Sequence, residues 1–65
     1  MGGGGQGERD VYFEFTAIGS TVKVTAIDSL TGTEVTVIGP TTAAKSHLER
    51  LALQKLKARL HRGAT

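Results

Sequence analysis

Two alternating segments, Val11–Ile18 and Thr21–Asp28, are separated only by Gly19 and Ser20. That spacing leaves the chain little freedom. Strict alternation sends successive side chains to opposite faces of a strand. A two-residue Gly-X connection is the signature of a type II′ hairpin. The turn then dictates that Ala17 lies across from Val22, Phe15 from Val24, and Phe13 from Ala26. Every apolar residue meets an apolar residue, which a slip of one position would destroy.

A second turn repeats the test. Ser29-Leu30-Thr31-Gly32 forms a four-residue loop, with glycine where a left-handed backbone is needed. Pairing Asp28 with Thr33 places Ala26 opposite Val35 and Val24 opposite Val37. One sheet face therefore reads Val11, Phe13, Phe15, Ala17, Val22, Val24, Ala26, Val35 and Val37, the expected core. Gly39-Pro40 closes the third strand, because proline has no donor for a ladder.

Thr41 or Thr42 is expected to cap a helix that runs to about Arg62, with Gly63 past its end. Ala44, Leu48, Leu51, Ala52, Leu56 and Leu60 recur at three- and four-residue steps, the period of a helix with one apolar side. The fold class predicted is α+β: a three-stranded antiparallel meander with one C-terminal helix packed on one face, β-β-β-α. Residues 10–62 form the single domain, after a flexible glycine-rich tail over 1–9 and before a short tail over 63–65. So small a domain buries only about 60% of its unfolded surface. An apolar arc of about 200° on the helix is wider than one sheet face usually needs. Together with two open sheet edges, this points to a homodimer, by helix packing or by edge pairing.

The 65 residues include no cysteine, which removes disulfide frameworks, zinc fingers, iron–sulfur clusters and thiol chemistry. No apolar run approaches the ~18 residues of a membrane span, and no secretory leader is visible. Met1-Gly2 resembles an acylation start, but Gln6 stands where serine or threonine is wanted. A soluble cytoplasmic protein is expected. The net charge of +2 hides a division: residues 1–40 carry two cations against five anions, and residues 41–65 carry six cations against one anion. That split is the compositional hint of a partner.

The run Val11-Tyr12-Phe13-Glu14-Phe15-Thr16 through Val22–Asp28, then Thr31-Gly32-Thr33-Glu34-Val35 and Leu48–Leu56, resembles a family of short uncharacterised alphaproteobacterial proteins. The likeness covers residues 11–60. Being a domain of unknown function, that family implies a bacterial cytoplasmic origin and no activity, ligand or site residues.

Enzymatic chemistry finds little to work with. Ser46 and His47 are adjacent, and adjacent helical residues diverge by about 100°. His47 and His61 lie about 21 Å apart along the helix, too far to share a metal. Glu14 and Glu34 share the outer sheet face but lie diagonally across the middle strand. No enzyme, cofactor or metal site is expected.

Two binding readings remain. The first is a non-enzymatic, self-associating protein-interaction module whose contacts come from Tyr12, Ile27 and Ile38 on the outer sheet face, or from Leu53 and Leu60 on the helix flank. Scattered apolar residues on a solvated face are also ordinary. The alternative is weak, sequence-independent nucleic-acid binding through Lys45, Arg50, Lys55, Lys57, Arg59 and Arg62. The β-β-β-α order with a basic helix is similar to double-stranded-RNA-binding domains, but the N-terminal helix and the lysine cluster of that fold are missing. The outer sheet face itself, with one lysine and two acids, is wrong for phosphates.

Overall fold

A computed structural model describes residues 10–63; the glycine-rich stretch over 1–9 and the last two residues lie outside the described region. The elements are β1 (Val11–Ile18), β2 (Thr21–Asp28), β3 (Glu34–Pro40) and α1 (Lys45–Gly63). They form one antiparallel sheet in the order β1-β2-β3, with the helix on one face. The expected α+β meander is the fold observed.

Both turns set the register that the alternation requires. Ala17 pairs with Val22, Phe15 with Val24 and Phe13 with Ala26. On the other side Ala26 pairs with Val35 and Val24 with Val37. Gly19 has φ +60 while Ser20 stays at negative φ, the combination that a type II′ turn demands. The second loop closes with Gly32 (φ +75) donating its N–H to the Asp28 carbonyl at 2.8 Å, and with Asp28 N–H bonded to Thr33 O at 2.9 Å.

Asp28 is fully buried at this corner. Its Oδ2 accepts the Thr31 N–H at 3.0 Å and the Thr31 hydroxyl at 2.8 Å. Thr33 N–H in turn donates to Thr31 Oγ1 at 3.2 Å. The loop is thus wired to a buried carboxyl group as well as shaped by its glycine.

The helix starts later than the threonines suggest. Ala43 N–H bonds to Pro40 O at 3.0 Å, and Thr41 N–H bonds to Ser20 O at 2.9 Å. Pro40–Ala43 is therefore a β-turn that leaves the sheet, and its two threonines are spent there. Ala44 takes the capping position, its carbonyl accepting from His47 at 3.0 Å and Leu48 at 3.2 Å. Alanine offers no side-chain oxygen to the first-turn N–H groups. The first turn also lacks an acidic residue, so neither favourable device is present at this end.

The core is narrower than the alternating pattern implies. Val22, Val24, Ala26 and Val35 are buried against Leu48, Ala52 and Leu56. Val11, Phe13, Val37, Ala43 and Leu60 pack at its margin. Phe15 and Ala17, expected in the core, are exposed instead. The reason is geometric. A helix about 10 Å across covers roughly two strands spaced about 4.8 Å apart, and this one packs over β2 and β3. Its approach to β3 is close. A Cβ built on Gly39 would lie 2.6 Å from Leu48 Cδ2, so the glycine before the strand's last residue also makes room for the helix.

Candidate interaction surface

The two edges of the sheet are built differently. Ser29 N–H bonds to Asp10 O at 3.0 Å, which sets the phase of the β1–β2 ladder. Even-numbered residues of β1 exchange hydrogen bonds with β2. Val11, Phe13, Phe15 and Ala17 therefore aim N–H and C=O at the open side. No proline, lysine or bulge interrupts β1, and such interruptions are the usual protections of an edge strand.

On the other side, the Asp28–Thr33 and Thr41–Ser20 bonds set the opposite phase for β3. Glu34, Thr36, Ile38 and Pro40 then face outward. Lys55 Nζ donates to Thr36 O at 2.7 Å, occupying one outward carbonyl. Pro40 has no N–H to offer at all. Among the described residues, the β3 edge is thus partly closed, whereas β1 carries neither device.

Side chains follow the same asymmetry. Because Lys55 reaches the outer edge of β3, that flank of α1 faces away from β1, and Leu51, one turn earlier, shares it. Leu53 stands about 200° round the helix from Lys55, and Leu60 follows seven residues later on the same side. Both are half-buried. That side of the helix is the β1 side, where Phe15 is 37% exposed. Lys45 Nζ sits 5.7 Å from the centre of the Phe15 ring, within cation–π reach. An apolar shelf thus runs beside the helix, formed by Phe13, Phe15, Ala17, Leu53 and Leu60.

On the outer face, Tyr12 (57% exposed) pairs with half-buried Ile27 near one end. Ile18 (66% exposed) and Ile38 (68% exposed) lie toward the other end. Between these ends run Glu14, Thr25 and Thr36, joined by a Thr25–Thr36 hydroxyl contact of 3.2 Å. The five residues singled out as protein contacts are therefore not one patch. Tyr12 and Ile27 adjoin each other, Ile38 is separate, and Leu53 and Leu60 are on the opposite side of the sheet. Ile18 lies on the outer face, where its place in the outward set of β1 puts it. Sequence reasoning placed Phe15 and Ala17 in the core, but the structure leaves them exposed. Nothing in the alternation could show which strand the helix would leave bare.

The basic residues are likewise divided. Arg50 and Lys57 are exposed on the side of α1 away from the sheet. Lys55, Arg59 and Arg62 line a hollow of about 210 Å³ with Ala58 on the β3 side, and Lys55 is engaged there with Thr36. Lys45 stands apart over Phe15. His47 and His61 are both exposed. Among the described residues, no group of three or more histidine, aspartate or glutamate side chains could hold a metal. No helix there is long and apolar enough to cross a membrane.

A protein-family profile described as a domain of unknown function (DUF6898) matches residues 8–63. The chain belongs to that family. No curated protein and no solved structure matches it.

Proposed function

We propose that this protein is a small non-enzymatic module that binds another polypeptide along β1. The observation that carries the reading is the contrast between the edges. Lys55 and Pro40 remove two of the outward groups of β3, while β1, among the described residues, keeps its outward backbone groups beside an exposed Phe15. A strand added there would gain main-chain hydrogen bonds, and the Phe13–Phe15–Ala17 shelf would receive its alternate side chains. The reading includes the alphaproteobacterial, cytoplasmic setting that the resemblance implies.

Lys55, Arg59 and Arg62 share one hollow, but Lys55 is held by Thr36 and Lys45, Arg50 and Lys57 lie off that path, which favours a solvated helix over a continuous phosphate track. One experiment separates the readings. A photo-crosslinking amino acid is placed at position 17 on the open edge, or at position 57 on the solvent side of the helix. Polypeptide crosslinks at 17 and few at 57 are the expected result. Equal yields at both sites would count against an edge-binding module. Amide NMR shifts along Lys45–Arg62 on adding a short duplex, lost at high salt, would put the nucleic-acid reading in its place.

A further inference from the structure

We infer that the polypeptide received by β1 is a second copy of this chain, paired antiparallel with its own β1 and with Phe15 at the twofold axis. This inference rests on the edge-binding reading above and adds the identity and register of the partner.

The argument is one of self-complementarity. Residues facing each other across an antiparallel pair lie on the same face, so a symmetric β1 pair has few registers. Centring it on Glu14 puts two carboxylates directly opposite, which is unfavourable. Centring it on Phe13 sets Tyr12 against Glu14 of the second copy and leaves Ile18 unpaired. Centring it on Thr16 sets Ile18 against Glu14. Centring it on Phe15 removes all three conflicts. Phe15 then meets Phe15, Phe13 meets Ala17, Glu14 meets Thr16, and Tyr12 meets Ile18.

Backbone phase agrees with this choice. Phe13, Phe15 and Ala17 are the residues whose N–H and C=O face outward, so the Phe13–Ala17 and Phe15–Phe15 pairs are the hydrogen-bonded ones. The register also explains the scattered outer face. Tyr12 and Ile18 occupy opposite ends of β1 in one copy. Pairing brings Tyr12 of one beside Ile18 of the other, so Ile27, Tyr12 and Ile18 form one continuous row on each side of the axis. On the inner face the two Phe15 rings come together between the helix flanks that carry Leu53 and Leu60.

The chain has no cysteine, which allows a direct register test. Glu14→Cys and Thr16→Cys variants are oxidised mildly, alone and as an equimolar mixture, and sedimentation equilibrium follows the parent chain. The expected result is a dimer whose mixed 14–16 disulfide forms at least tenfold faster than either self-linked product. Ala17→Pro and Ala17→Lys should both give monomers with unchanged circular dichroism; lysine covers the case in which proline disturbs the strand. Faster self-linking of Glu14→Cys or of Thr16→Cys would overturn the register. A parent chain that stays monomeric to millimolar concentration would overturn self-pairing. In that event, a crosslink from position 17 to a different polypeptide would leave the edge-binding reading standing, and its absence would remove both.

Discussion

Gly39 shows how one missing side chain sets the distance between two layers. Its Cβ would fall 2.6 Å from the end of Leu48, a buried side chain with core neighbours around it. Gly39→Ala is expected to cost about 1–3 kcal/mol, the usual range for overpacking. Urea unfolding of the variant reads this as a lower midpoint at unchanged slope. The Asp28 corner makes a comparable point. Thr31→Val keeps the shape but removes the hydroxyl that donates to a fully buried carboxyl oxygen. A loss of about 1–2 kcal/mol follows from leaving that acceptor with one donor fewer, and the same denaturant measurement checks it. A stability change under about 0.3 kcal/mol would show that the backbone N–H of Thr31 alone satisfies Oδ2.

Among the elements, α1 is the one whose start can be improved. Ala44 is exposed and occupies the capping position, so a side-chain oxygen there has room and can accept from the Ser46 N–H. Ala44→Asp should stabilise the fold by about 1 kcal/mol and raise Tm by about 4–8 °C, which calorimetry would measure. A Tm that falls would mean that this end is already satisfied by other means. The same element marks where sequence reading stopped. The strands were legible because both turns had to agree on one pairing. The start of the helix was not, because Thr41 and Thr42 suit a cap and a turn equally, and the Pro40 carbonyl decided the matter by taking Ala43. The apolar stripe at Leu48, Ala52 and Leu56 could be read from its spacing. That it would settle over β2 and β3 could not, since Phe15 and Ala17 alternate as regularly as Val22 and Val24. Thus the residues of the candidate site appear in sequence as ordinary core positions, and only the off-centre helix turns them into surface.

For the molecule as a whole, the decisive feature is that Lys55 and Pro40 partly close one sheet edge while β1 has no such device. A strand pair through β1 uses the same patch on both copies, so its symmetry is satisfied once two have met. Each outer margin of the joined sheet is then a β3 edge that offers poor template groups to a newcomer. Restoring those groups with Pro40→Ala and Lys55→Ala together should yield species larger than two copies in a sedimentation run, where the parent reaches a plateau. A variant that also stops at two would mean that Glu34 or the sheet twist ends growth instead. If two copies pair through β1, a lysine on the helix and a proline at the end of a strand would make the difference between a finite particle and a fibre.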